Sequence, residues 1–156
     1  MTINKQQRYE EMLPQLASLI AGETEEMSVL ANVAAVIHET FGFWWTGFYL
    51  VRGGELRLGP FQGPVACMHI QRGRGVCGTS WERSETIVVP DVELFPGHIA
   101  CSSASRSEIV VPLYNINKVV VGVLDIDSRE LSTFDETDKN YLEQVSQLIT
   151  RTLYAH

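Results

Sequence analysis

All three cysteines of this 156-residue chain, Cys67, Cys77 and Cys101, fall in one stretch that is also rich in glycine, proline and histidine. A thiol in such a setting packs inertly, binds a metal or does redox chemistry. Spacing argues against metal. Zinc sites use close pairs such as Cys-x-x-Cys, and here the only close pair is His98, three residues before Cys101. An odd cysteine count without a secretory leader also argues against a disulfide framework. Reactivity follows the thiolate, which a helix N-terminus or nearby positive charge favours. On local sequence Cys77 is best placed, at the start of an expected helix and after Arg72 and Arg74. Cys101 sits in Ala100-Cys101-Ser102-Ser103, where hydroxyls and amides can support a thiolate. Cys67, in Val65-Ala66-Cys67-Met68, reads as a packed core thiol. Spacing leaves open which thiol reacts, and leaves inert packing open too.

A second constellation is acidic. Asp125 and Asp127 lie two apart on an expected strand, so their side chains share a face. Glu108 opens the preceding strand, and the hairpin between them brings it to the same end of the sheet. Clustered carboxylates without matching lysines are costly unless they bind a cation or share a proton. The third constellation is aromatic. Trp44 and Trp45 are adjacent and should point to opposite faces of a strand, whereas Trp45 and Tyr49 share one. An aromatic wall beside acids suits an ammonium group or a sulfur centre. The run Arg72-Gly73-Arg74-Gly75-Val76-Cys77-Gly78-Thr79 lacks the Gly-Lys-Ser/Thr ending of a phosphate loop and follows no βαβ pattern, so it reads as a tight turn.

The elements that must position these residues follow from periodicity. Helical spacing covers Tyr9, Met12, Leu13, Leu16, Leu19 and Ile20, with Pro14 expected to kink the helix or open a second one. Thr24 is the expected cap of a second helix carrying Met27, Leu30, Ala34 and Ile37. Strands are expected over 43–51, 56–58, 65–70 (carrying Cys67), 85–89, 107–114 and 119–127, with a loop at 59–64 and a short helix at 76–83. Thr133 and Glu136 fit a capping box for the last helix. The expected fold is α+β: one domain over 1–156, with a mostly antiparallel six-stranded sheet and the N- and C-terminal helices packed on one side.

Composition narrows the function. Apolar residues make up 45% of the chain, enough for a core of its own, and no run approaches the ~20 apolar residues of a membrane span. The N-terminus has no apolar leader, so the expectation is a soluble, cytoplasmic protein with no membrane partner. A net charge of −7 without a basic stripe argues against nucleic acid.

Six segments occur together and in order: Trp45-Thr46-Gly47-Phe48-Tyr49, Gly59-Pro60-Phe61-Gln62-Gly63, Gly73-Arg74-Gly75-Val76-Cys77-Gly78-Thr79, Phe95-Pro96-Gly97-His98-Ile99-Ala100-Cys101, Ser107-Glu108-Ile109-Val110 and Gly122-Val123-Leu124-Asp125-Ile126-Asp127-Ser128. Together they resemble the free methionine-(R)-sulfoxide reductases, which are catalytic GAF-domain proteins. The resemblance implies Cys101 as nucleophile, overruling the local preference for Cys77. It implies Cys67 as resolving cysteine and Cys77 as a secondary resolving thiol. It places Trp45, Tyr49, Glu108, Asp125 and Asp127 around free methionine-(R)-sulfoxide. It further implies no metal and no bound cofactor, recycling by thioredoxin (with NADPH as the indirect reductant) and a homodimer paired through the terminal helices. The alternative within the same fold is a GAF module that binds a small ligand or senses redox state without catalysis.

Overall fold

The structure, a computed structural model, describes residues 3–98 and 104–155. Helix α1 (Lys5–Ile20) begins at Asn4, whose side chain accepts from the Gln7 N–H while Gln7 returns a bond to the Asn4 N–H. It continues through Pro14 as one helix, so the proline does not open a second one. Pro14 lies on the exposed face, where water can satisfy the carbonyl left without a donor. Helix α2 (Glu26–Phe41) is capped at Glu25 rather than Thr24, without a side-chain cap bond. It ends at Gly42 in the left-handed conformation.

Strands β1 (Trp45–Arg52) and β2 (Glu55–Gln62) form a hairpin across Gly53 and Gly54, both at positive φ. Strand β2 takes in most of the loop expected at 59–64. Its register against β1 shifts between Gly47 and Tyr49, a bulge that admits Gly59 and Pro60. The strand expected at 65–70 shrinks to β3 (His69–Ile70), so Cys67 lies in irregular backbone. Then come α3 (Gly75–Arg83), β4 (Ile87–Val89), a 3-10 turn (Val92–Leu94), β5 (Ser107–Tyr114), β6 (Val120–Ser128) and α4 (Glu136–Leu153). The cap of α4 is Asp135, boxed with Asp138, two residues beyond the expected Thr133 and Glu136.

The six strands pair antiparallel throughout in the order β3-β2-β1-β6-β5-β4, which bears out the expected α+β architecture. Strand alternation sorts the side chains onto two faces. Phe48, Leu50, Ile109, Val111, Leu113, Leu124 and Ile126 pack with α1, α2 and α4 in one core. Trp45, Tyr49, Val110 and Val123 face the other way, against Val76, Cys77 and Trp81 of α3. The two terminal helices are tied by a buried carboxylate. Tyr9 donates to Asp138 Oδ1 at 2.6 Å and Lys5 Nζ to Asp138 Oδ2 at 2.6 Å, so both carboxylate oxygens are engaged. Among the described residues no helix is long and apolar enough to cross a membrane.

Helix α3 is set against the turn that precedes it by a close backbone approach. The Gly73 N–H donates to the Gly78 carbonyl at 2.9 Å, and a Cβ on Gly78 would run into the Gln71 carbonyl oxygen. Backbone cannot rotate away as a side chain can, so Gly78→Ala should force the turn off the helix. The expected cost is about 1–3 kcal/mol, read as a lower urea midpoint with an unchanged m-value.

Candidate active site

Antiparallel register assembles the acids. Glu108 of β5 stands directly across from Asp127 of β6, and Val110 from Asp125, so Glu108 is diagonal to Asp125 on the same face. Trp45 pairs with Asp127 and Gly47 with Asp125 on the other side of β6, which adds the aromatic wall to that face. The predicted cluster of Glu108, Asp125 and Asp127 with Trp45 and Tyr49 is therefore brought together. All five line one pocket, closed from above by Gly75, Val76 and Cys77 of α3.

The aromatic wall is held rigidly. The Trp45 ring stacks on Phe61 with centroids 5.2 Å apart and on Tyr49 at 6.0 Å. Gly47 makes room for this: a Cβ there would lie 2.7 Å from the Trp45 ring. The polar atoms of both rings are spent on one segment. Trp45 Nε1 donates to the Pro64 carbonyl at 2.9 Å, and the Tyr49 hydroxyl to the Cys67 carbonyl at 2.9 Å. These bonds fasten the irregular stretch that carries Cys67 to the rim of the pocket. Trp44 was expected on the opposite face from Trp45, yet both line the site. Trp44 precedes β1, so strand alternation does not bind it.

The three cysteines part company. Cys67, expected as a packed core thiol, is half-buried and disulfide-bonded. Cys77 is a free, buried thiol whose Sγ lies 4.0 Å from Glu108 Oε2. Burial pushes its pKa well above the ordinary thiol value, and the Asp125 and Glu108 charges push it further. The local argument for a Cys77 thiolate therefore fails. The helix terminus and arginines next to it in sequence are outweighed by acids that only the sheet brings near. Cys101 lies outside the described residues.

The acids are as unusual as the thiol. Glu108 and Asp125 each keep only 6% of their surface, rather than standing solvated at a strand end, and Asp127 is half-buried. Burial raises all three carboxyl pKa values, and mutual repulsion adds to the rise for Glu108 and Asp127. Asp125 is held lower than burial alone would place it by hydrogen bonds from Glu108 and Cys77. Ser105 donates to Asp127 Oδ1 at 3.0 Å. Contact with Asp125 raises the Glu108 pKa while the same contact lowers that of Asp125, the pattern expected of carboxyls that share a proton. Asp125 Oδ1, buried, has no hydrogen-bond partner among the described residues. Such an oxygen is costly to leave unmet, so it marks where a donor belongs. Cys77, Glu108 and Asp125 also present three ligand atoms within 4.8 Å of one another. A metal ion there would compete with the protons these groups hold.

Further lining residues not singled out as site residues from sequence include Arg74, His98 and Ser105. Arg74 and His98 stood in segments already conspicuous for glycine and proline, and that composition was the available signal. Burial lowers the His98 pKa, partly opposed by the Asp125 charge.

Known proteins share this architecture over nearly its whole length. Residues 23–153 match the GAF domain family. The free methionine-R-sulfoxide reductase of Escherichia coli is 43% identical over 152 residues, covering 97% of this chain and 92% of that protein. The enzyme of the same name from Saccharomyces cerevisiae is 40% identical over 158 residues, covering 96% and 88%. The free methionine-R-sulfoxide reductase of Neisseria meningitidis, solved in complex with its substrate, superposes with a TM-score of 0.94 at 51% identity over 97% of this chain and 92% of that one. This chain belongs to the free methionine-R-sulfoxide reductase family of GAF-domain proteins.

Proposed function

We propose that this protein reduces free L-methionine-(R)-sulfoxide to L-methionine, with Cys101 as nucleophile, Cys67 as resolving thiol and a thioredoxin-type dithiol as final reductant. One observation carries the reading: a rigid aromatic wall faces a buried carboxylate cluster in which Asp125 Oδ1 lacks a donor among the described residues. The Cys101 thiolate attacks the sulfoxide sulfur, and Glu108 protonates the departing oxygen as general acid. In the resulting adduct the hydroxyl passes from the substrate sulfur to the Cys101 sulfur, as the substrate S–O bond and the transient sulfur–sulfur bond break. Methionine leaves reduced, and Cys101 becomes a sulfenic acid. The Cys67 thiol condenses with it, releasing water and forming a Cys67–Cys101 disulfide. Two electrons from the reductant dithiol then restore both thiols by exchange. The fastening of the Cys67 segment to Trp45 and Tyr49 suits a resolving thiol that must stay beside the substrate. Cys77 is the slower, secondary resolving thiol in this scheme, because its raised pKa keeps it protonated. Asp125 and Asp127 receive the substrate ammonium, a charge that a peptide-bound methionine sulfoxide lacks.

A coupled assay tests this. NADPH consumption is followed with thioredoxin and thioredoxin reductase, offering the free (R) and (S) epimers and an (R)-sulfoxide held within a peptide. Turnover of the free (R) epimer alone is expected. Tight ligand binding without turnover of any epimer would instead identify a ligand-binding GAF module.

A further inference from the structure

The stretch around Cys67 is pinned by its backbone and open on its side chains. Trp45 Nε1 holds the Pro64 carbonyl, the Tyr49 hydroxyl holds the Cys67 carbonyl, and the Leu58 N–H donates to the Met68 carbonyl at 3.0 Å. With its carbonyls held inward, the stretch presents Val65 and Met68 to solvent, 85% and 70% exposed. Val65 is the most exposed large apolar side chain among the described residues. Scattered exposed apolar residues need no explanation. Two held rigidly on either side of a disulfide-bonded cysteine do.

The chemistry at Cys67 says what approaches them. Cys67 is half-buried and disulfide-bonded. Reduction requires an attacking thiolate to touch a disulfide sulfur. A small thiol does this with little other contact, but a protein thiol must lay its surroundings on the residues that flank the sulfur. Those residues are Val65, Ala66 and Met68, all apolar. The place is open to a large partner, because the stretch leads into β3 and, among the described residues, β3 is the edge of the sheet. Beside the apolar pair lies a satisfied polar rim: His69 pairs with Glu55, which also accepts from Arg57 Nε at 3.2 Å. An apolar centre with a polar rim is the anatomy of a protein–protein interface.

We infer that Val65 and Met68 form the docking surface for a dithiol reductant protein whose reactive thiol is ringed by apolar surface, and that this thiol attacks the Cys67 sulfur. This step rests on the reductase reading for the partner of Cys67; the exposed surface does not. The attacking thiolate forms a sulfur–sulfur bond to Cys67, the Cys67–Cys101 bond breaks, and Cys101 departs as a thiolate. That direction is favourable, because the thiol that opens catalysis as a thiolate is also the better leaving group. The second thiol of the reductant loses its proton and attacks the mixed disulfide, and Cys67 departs and takes up a proton. The reductant ends as a disulfide, and two electrons have passed to Cys67 and Cys101.

The test starts from the oxidised protein and needs no substrate. Reduced thioredoxin is added, and the rate of reduction is read from the thiols gained on the protein, with dithiothreitol run in parallel. Met68 carries the test because Val65 also lines the pocket. Met68→Asp should slow thioredoxin by roughly five- to thirtyfold, as for a lost interface anchor, and leave dithiothreitol unchanged. Met68→Ser should slow it in the same direction without adding charge, and Met68→Leu should keep the wild-type rate. Ile116→Asp should change neither rate: Ile116 is also exposed, but it lies past the end of β5 opposite Glu108. A thioredoxin whose second cysteine is replaced by serine should be trapped as a mixed disulfide that peptide mass mapping places on Cys67. An unchanged thioredoxin rate in Met68→Asp, equal slowing of dithiothreitol, or trapping on Cys101 overturns the proposal. A shift from dimer to monomer in Met68→Asp with the thioredoxin rate unchanged would assign the surface to a second copy of this chain instead. Turnover of methionine-(R)-sulfoxide with dithiothreitol by the same wild-type preparation separates the two readings. Turnover, with reduction by thioredoxin independent of Met68, sinks only the docking surface. Met68-dependent reduction without turnover sinks only the reductase. No reduction of the wild type by thioredoxin and no turnover sinks both.

Discussion

Cys101→Ser is expected to abolish turnover of methionine-(R)-sulfoxide. Serine is nearly isosteric but cannot accept oxygen, and its hydroxyl is not ionised near neutral pH as a thiol can be. The loss should therefore reach the background of the assay, a drop of at least about a thousandfold. Cys67→Ser separates the two half-reactions. It should still release one equivalent of methionine per protein, because the sulfenic acid forms without a second thiol. Steady-state recycling by thioredoxin should then stall, or persist only as slowly as the protonated Cys77 allows. Quantifying methionine in a single turnover, beside NADPH consumption, distinguishes the steps. Wild-type rates in Cys101→Ser would end the assignment of the nucleophile.

Glu108→Gln should stop catalysis and strengthen the fold. Glutamine cannot deliver a proton to the departing oxygen, so kcat should fall by about 100- to 10,000-fold. The wild-type rate should decline as pH rises through the raised pKa of Glu108, and that alkaline limb should vanish in the variant. Stability moves the other way. Between the unfolded pKa, about 4.3, and its raised folded pKa, Glu108 binds more protons folded than unfolded. Its contribution is thus fully present below the unfolded pKa and is lost as pH rises toward the folded one. A neutral amide escapes this penalty and can donate to the unmet Asp125 oxygen. Melting curves should place Glu108→Gln above the wild type at pH 8, with the gap closing near pH 4. A variant less stable than the wild type at both pH values would mean that Glu108 is a structural carboxylate rather than the proton carrier. A loss of activity without loss of the alkaline limb would move the donor to Asp125 or Asp127.

Most strands were legible because alternation and β-branched runs are local signals, as in Ile109–Leu113 and Val119–Asp127. The misplaced features are those where long-range contacts override local chemistry. Pro60 reads as a loop residue until a bulge against β1 admits it to a strand. Val65–Met68 reads as a strand, yet the Tyr49 hydroxyl claims the Cys67 carbonyl, Trp45 holds the Pro64 carbonyl just before the stretch, and the register with β2 is limited to His69 and Ile70. Thr133 reads as a helix cap, but its hydroxyl donates to Ser128 Oγ and Asp135 takes the cap. Arg74 read as part of a glycine turn, because nothing local shows that its helix opens into a pocket.

Sequence alone determined which side chains share a face. A strand has a period of two residues, so Asp125 with Asp127 and Trp45 with Tyr49 are paired by spacing before any fold exists. The short hairpin between β5 and β6 likewise sets Glu108 near them, since a tight connection leaves little freedom of register. The family was also legible, in the order of six motifs. Only the tertiary structure decided the electrical character of those groups. Whether a carboxyl is a solvated anion or a buried acid, and whether Cys77 is a thiolate or a protonated thiol, depends on water excluded by α3 and on charges brought across the sheet. Those are properties of distance and dielectric, and residues remote in the chain set both.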